Sequence, residues 1–447
     1  MAKNAAGKHR HSFLLKLMAT IGVLATGGVA LDVFLGFGRG PLMMRPTESP
    51  AAGTPEFLRA VAGVLGSPLR SGGTGSVLLN GRQFYPALLA DIRAARRTID
   101  LTCYIWEPGS PSDEIVAALV ERARQGVQVR VLLDGLGGRN LGQETRQAMR
   151  DAGVKVAEFR PARFGQLTRF YKRNHRRAMV VDGTVAFTGG MAVAPQWLGD
   201  ADSRDHWRDT MFRFTGPPAS MVQSAFADIW AYSTGELLAG DDFFPAFPTP
   251  LPADSDAPTS AAADPFLHTG LTSAPSKEDH PLGLLLLLTV SGARRRIQIT
   301  TPYFIPDRTM RAALIERARA GVDVRVLLPG PAVDHEVVRL AAQYRYQELL
   351  AAGVHIYEYQ PTMMHSKSIV VDGVWAVVGS PNLNVRSRDL DHENAVCVSN
   401  HAFAGRLEEV FAQDLQRARE VSPVEWAQRG LWTRLKERVS YAISQVS

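Results

Sequence analysis

The sequence predicts an α/β protein of two pseudo-symmetric lobes, each a mixed β-sheet flanked by helices, preceded by an N-terminal transmembrane segment. Three observations carry that expectation. The chain repeats itself in order: ERARQGVQVRVLL (121–133) returns as ERARAGVDVRVLL (316–328), AGVKVAEFRP (152–161) as AGVHIYEYQP (352–361), and HRRAMVVDG (175–183) as HSKSIVVDG (365–373). Within each copy, helical periodicity alternates with short runs rich in β-branched residues. At the front of the chain, a basic leader precedes a long apolar stretch.

That leader carries Lys3, Lys8, Arg10 and Lys16, and the apolar stretch runs from Phe13 to Gly38 with Asp32 toward its far end. A signal peptide would fit the first part, but the whole length suits an uncleaved single-pass anchor over residues 1–45. Four cations ahead of Leu17, against Arg39 and Arg45 after Gly38, favour the N-terminus inside a bacterial cell membrane and the bulk of the chain outside.

The first lobe is expected over 58–238. FYPALLADIRAARR reads as an amphipathic helix, TIDLTCYIW as a strand, DEIVAALVERARQG as a helix ending at a glycine, and VQVRVLL as a buried strand. AMVVDGTVAFTGG and its counterpart SIVVDGVWAVVGS read as hairpins turned by Asp-Gly. Residues 239–280, with prolines scattered from Pro245 to Pro275, read as a linker or an insertion contributing one short strand. The second lobe follows over 281–420. A C-terminal amphipathic helix over 421–447 puts Trp432, Leu435, Val439 and Ile443 on one stripe. Such a stripe either packs onto its own domain, the commoner arrangement, or lies on a membrane surface.

With 45% hydrophobic and 21% charged residues, the composition excludes gross disorder. A formal net charge of +6 favours anionic partners, whether nucleic acid, anionic lipid or a phosphorylated small molecule, or simply aids solubility. Cys103 and Cys397 read as small core residues, and no metal-type spacing is present.

The repeated motif carries the chemistry. Residues two apart in a strand share a face, so His365 and Lys367 project together, as do His175 and Arg177. Two imidazoles pooled with two cations suit a phosphodiester. One neutral imidazole attacks phosphorus and the other, protonated, donates to the leaving alkoxide, while the cations clamp the anionic oxygens. Asp182 and Asp372 complete the motif, but at the turn, where turn chemistry is expected ahead of a direct role. Asp209 and Glu393 head matching strands and can hold an imidazole N–H, a solvated strand-end charge being the alternative. Ser380 and Asn382 can give polar contacts to phosphate. The basic run RFYKRNHRR (169–177) can receive a lipid headgroup or a nucleic-acid backbone, or is a solvated loop.

The paired H-x-K-x4-D phrase, the GSPN after it and the downstream Glu393 resemble the phospholipase D superfamily. ITTPYFIPD (299–307), YEYQPTMMHSKSIVVDG (357–373), GSPNLNVRS (379–387), FTGGMAV and HWRDT are closer still to bacterial cardiolipin synthases. The resemblance, which covers about residues 75–420, implies one active site between two lobes and a covalent phosphohistidine. It further implies metal-independent, cofactor-free transfer of a phosphatidyl group, with phosphatidylglycerol of a phospholipid membrane as both donor and acceptor and no nucleic acid as partner. Hydrolytic phospholipase D or phosphodiesterase activity is the neighbouring alternative. A non-catalytic anionic-lipid binder is the distant one, because Arg177 stands where the family has Lys and Ala192 where the repeat has Asn382. Which histidine is the nucleophile, and the oligomeric state, are open at this level.

Overall fold

The computed structural model describes residues 43–161, 172–247, 264–276 and 280–444. The apolar segment from Phe13 to Gly38, and the start of the basic run at 169–171, lie outside the described residues. Among the described residues, no helix is long and apolar enough to cross a membrane.

Strands are numbered in chain order. The first group is β1 (Arg70–Ser71), β2 (Thr74–Leu79), β3 (Thr98–Cys103), β4 (Gln128–Asp134), β5 (Lys155–Phe159), β6 (Ala178–Val181), β7 (Val185–Gly189) and β8 (Thr210–Thr215). The second is β9 (Leu267–Ser273), β10 (Arg296–Thr300), β11 (Phe304–Ile305), β12 (Asp323–Pro329), β13 (His355–Tyr359), β14 (Ser368–Val371), β15 (Trp375–Gly379), β16 (Leu383–Asn384), β17 (Glu393–Ser399) and β18 (Ala418–Glu420). One sheet runs β2-β8-β7-β6-β3-β4-β5 and the other runs β9-β17-β15-β14-β10-β12-β13, flanked by β1 beside β9 and β18 beside β13. The two orders correspond strand for strand, so the repeat in sequence is a repeat in topology. Each sheet is mixed: β3, β4 and β5 are mutually parallel, as are β10, β12 and β13, and the hairpins are antiparallel.

The motif strands are apolar on consecutive residues, AMVV in the first and IVV after Ser368 in the second, because both of their faces are covered. Val180 and Val370 meet in a central core shared by the two sheets, with Phe212, Phe214, Val396 and the helix Ala219–Thr234. The alternate residues face outward into separate cores, Met179 and Val181 into one and Ile369 and Val371 into the other. The hairpin turns form as the Asp-Gly pairs require: Asp182 (φ 52°), Gly183 (φ 65°), Asp372 (φ 53°) and Gly373 (φ 68°) all take the left-handed conformation.

One boundary differs from the sequence reading. The helix Pro55–Leu65, at the front of the expected first lobe, packs Phe57, Leu58 and Val61 into the second sheet's outer core, with Phe57 edge-on to Trp375 at 5.1 Å. Its periodicity specifies an apolar face but not which sheet that face covers. Residues 239–280, read as a linker or an insertion contributing one short strand, hold β9, which lies between β1 and β17 in the second sheet. On the C-terminal helix Leu431–Ser444 the apolar stripe is left exposed at Trp432, Leu435, Val439 and Ile443.

Candidate active site

The lobes meet through two reciprocal backbone bridges. Asn174, just before the first motif histidine, bridges His392, just before Glu393, and Arg208, just before Asp209, bridges Met364, just before His365. The His175 amide donates to the His392 carbonyl at 3.0 Å, and the His365 amide to the Arg208 carbonyl at 2.7 Å. Each motif histidine is thereby laid against the carboxylate strand of the opposite half. His175 Nδ1 lies 2.9 Å from Glu393 Oε1, and His365 Nδ1 lies 2.7 Å from Asp209 Oδ2. With Nδ1–H given to the carboxylate, Nε2 carries the lone pair, which is the tautomer a nucleophile or base needs.

The cations repeat the symmetry. Lys367 Nζ donates to the His365 carbonyl at 2.8 Å, and Arg177 Nη1 to the His175 carbonyl at 2.6 Å. The arginine therefore delivers its charge to the place the lysine takes in the other half. Asn394, one residue past Glu393, locks Arg177 from across the boundary by accepting from its amide at 3.1 Å and donating to its carbonyl at 3.2 Å.

All these groups are buried, and burial dominates their ionisation. The His365 imidazole is pushed down to about 4 by burial and then by Lys367. His175 is also held well below the ordinary histidine value by burial, with Arg177 and Lys367 adding to it. Burial brings the Lys367 ammonium down to about 7. The two carboxylates part company. Burial pushes Glu393 up to about 7, against the bond from Ser380. Asp209 suffers the same burial, yet its hydrogen-bonded partner His365, the Lys367 ammonium and the bond from Trp197 Nε1, 2.8 Å away, hold it below its usual value.

His175, Arg177 and His365 open onto one cleft of about 460 Å³, whose lining does not include the buried Lys367, Asp209 and Glu393. His175, Arg177, His365 and Asn382 line it together with Tyr104, Arg173, Trp207, Tyr303, Asp334 and Arg386. Asn382 Oδ1 is buried without a hydrogen-bond partner among the described residues. Ser380 sits behind the cleft and bonds Glu393, so it supports a carboxylate rather than facing the open space.

Asp182 and Asp372 do not line the cleft and sit at the hairpin turns. Asp182 accepts from the amides of Arg96, Arg97 and Thr98 at 2.7–3.2 Å, and Asp372 from those of Arg294, Arg295 and Arg296 at 2.7–2.8 Å. Each fastens the loop entering the neighbouring strand, at the end of the motif strand away from the histidine. Ala192 is buried in the first lobe's outer core.

Sequence reasoning missed Trp197, Asn394 and the aromatic wall of Tyr104, Trp207 and Tyr303, whose rings lie 5.4–6.4 Å from the motif histidines. Only Asn394 left a signal, standing next to Glu393. It also missed an asymmetry between Gly190 and Ser380, which follow β7 and β15. A Cβ at Gly190 would lie 2.1 Å from Asp209 Oδ1, so the shorter carboxylate requires glycine where the longer Glu393 meets a serine.

Comparison with known proteins agrees with this geometry. The family described as cardiolipin synthase, PLD-like domain, matches residues 88–227 and 286–415. Cardiolipin synthase A of Pseudomonas putida strain GB-1 is 32% identical over 407 residues, covering 91% of this chain and 80% of that protein. Cardiolipin synthase A of Cronobacter sakazakii is 32% identical over 394 residues, covering 87% of this chain and 77% of that protein. Among solved structures, phosphatidylserine synthase of Haemophilus influenzae Rd KW20 superposes with a TM-score of 0.67 at 15% identity, over 88% of this chain and 100% of that one, a likeness of fold.

Proposed function

We propose, from the premise that this chain belongs to the phospholipase D-like cardiolipin synthase family, that it is a phosphatidyltransferase joining two phosphatidylglycerols into cardiolipin with release of glycerol. The observation that carries the reading is the crossed pairing of two buried imidazoles with two buried carboxylates, beside two buried cations, with both imidazoles and Arg177 lining one cleft.

Burial, with the charges of Arg177 and Lys367, holds both imidazoles neutral in the free site. A phosphodiester anion adds negative charge beside them, strengthening each donor it meets and raising the basicity of the nearby ring nitrogens. Nε2 of one histidine then attacks phosphorus. The phosphorus–oxygen bond to the glycerol headgroup breaks, and the other histidine, now protonated, gives its proton to that oxygen so that glycerol leaves. A hydroxyl of the second phosphatidylglycerol loses its proton to the same imidazole and attacks the phosphohistidine. The phosphorus–nitrogen bond breaks and the first imidazole is restored. Arg177 and Lys367 hold the phosphoryl oxygens where charge accumulates, and Asn382 has an oxygen free to accept from a hydroxyl of the headgroup. The Arg177 substitution does not weaken the reading, since its Nη1 makes the contact that Lys367 Nζ makes in the other half.

The N-terminal apolar stretch is proposed as the membrane anchor, with both lobes on the outer side of a bacterial membrane; the excess of cations ahead of that stretch supports the orientation. The assignment is tested by incubating the purified chain with phosphatidylglycerol micelles, with and without EDTA, beside a His365→Ala control, and reading lipids by mass spectrometry. Cardiolipin and glycerol, present with EDTA and absent from the control, are expected. Phosphatidic acid alone would reassign the chain to hydrolysis, and no product from any phospholipid would sink the enzyme reading.

A further inference from the structure

The C-terminal helix Leu431–Ser444 is turned inside out with respect to an ordinary surface helix. Its protein-facing side is polar: Glu437 and Ser440 are buried, Glu437 is paired with Arg429 at 2.8 and 3.0 Å, and the Tyr441 hydroxyl accepts from Arg345 at 3.1 Å. Its solvent side is apolar: Trp432 is 77% exposed, and Leu435, Val439 and Ile443 about half. At 3.6 residues per turn the two faces stand roughly 140° apart. Lys436 and Arg438, both exposed, flank the apolar stripe on its two sides. Leu431 and, on the preceding short helix, Val424 extend it, both more than two-thirds exposed.

The position of this helix bears on the site. It packs against the helix Glu336–Gln343, whose Val337 is also exposed, and Ser444 at its end lines the cleft together with His335 and Val338. The cleft, at about 460 Å³, is of small-ligand size. That is room for a lipid headgroup but not for its acyl chains as well.

We propose that this helix is an interfacial docking element, laying its apolar stripe into the surface of a bilayer that contains anionic lipid and thereby setting the cleft mouth at headgroup level. The inference rests on the reading of the substrate as phosphatidylglycerol. The stripe suits a membrane better than a second copy of the chain. A stable dimer buries about 800 Å² per partner and excludes charge from its centre, whereas an interfacial helix needs only a narrow apolar stripe edged by lysine and arginine.

The test uses the full chain reconstituted into phosphatidylcholine vesicles with and without phosphatidylglycerol. A nitroxide is placed at Val439→Cys, with Arg59→Cys on the exposed side of the helix Pro55–Leu65 as reference; native Cys103 and Cys397 are buried. Collision with oxygen, which partitions into lipid, is compared with collision with a water-soluble nickel chelate. The label at 439 is expected to gain oxygen contact and lose nickel contact several-fold when phosphatidylglycerol is present, while the reference label does not change. A label that stays as open to nickel as the reference overturns the proposal. So does one shielded from both reagents with spin–spin broadening, which identifies a second copy of the chain as the occupant. The readout needs no turnover. Insertion without transferase activity would leave the docking element standing and remove the proposed reaction, and transfer in micelles without insertion would do the reverse.

Discussion

Asp209 and Glu393 hold equivalent histidines with unequal support. Besides its histidine, Asp209 accepts from Trp197 Nε1 and the Thr210 amide, whereas Glu393 has the Ser380 and Ser387 hydroxyls and a burial cost that lifts it to about 7. Replacing either carboxylate by its amide, Asp209→Asn or Glu393→Gln, keeps the shape but offers the imidazole the wrong proton pattern. Each variant is expected to lose about two to four orders of magnitude in kcat, and the double variant little more than the worse single one, because the groups act as a unit. Retention of activity in either single variant, measured by the lipid assay, would refute the orienting role. At this scale the sequence was informative where a residue type recurs at a fixed spacing, as with His175, Arg177, His365 and Lys367. It was silent on Trp197 and Tyr104, whose roles arise only when distant segments close around the same ring.

The hairpins β6–β7 and β14–β15 carry the motif, and their turn aspartates secure them to the strands beside them. Asp182 and Asp372 each accept three backbone amides of an arginine-rich loop. We predict that Asp182→Asn or Asp372→Asn lowers stability by about 1–3 kcal/mol, as loss of charge-assisted bonds at a partly exposed site should. At temperatures where the variant is folded, kcat should change less than threefold. Thermal unfolding beside initial rates decides it, and a large fall in kcat without a shift in Tm would return the aspartates to the chemistry. The alternation of strand and helix, the hairpins and the mixed sheets were legible because period two and period 3.6 leave different marks. The allegiance of Pro55–Leu65 and of β9 was not, since an apolar face does not say which partner covers it. The outward stripe of the last helix was hidden for the same reason: amphipathicity gives two faces, and only packing tells which one points in.

The lobe boundary carries the proposed catalytic centre, and its stability should depend on acid. His392, whose backbone bridges Asn174, has a ring buried against Phe159 and pushed down to about 2, chiefly by burial and then by Arg176. The unfolded chain binds that proton below about 6.5, while the folded chain does not until far lower pH. Stability therefore falls as pH drops below 6.5, with a slope of up to about 1.4 kcal/mol per pH unit from this group. A His392→Gln variant should be the less stable protein at neutral pH and lose that deficit as the solution is acidified. Tm curves of the two proteins that run parallel from pH 7 to pH 5 would contradict the assignment.

Because each histidine borrows its carboxylate from the other half, the timing of biosynthesis follows from the geometry. A chain emerging from the ribosome presents His175 and Arg177 long before Glu393 has been made, and Asp209 long before its partner His365. Neither half possesses an oriented imidazole until translation has passed the second motif and the two sheets have closed on their common core. The pair proposed to act on lipid is thus withheld from any product that ends before Glu393 or whose two sheets have not closed.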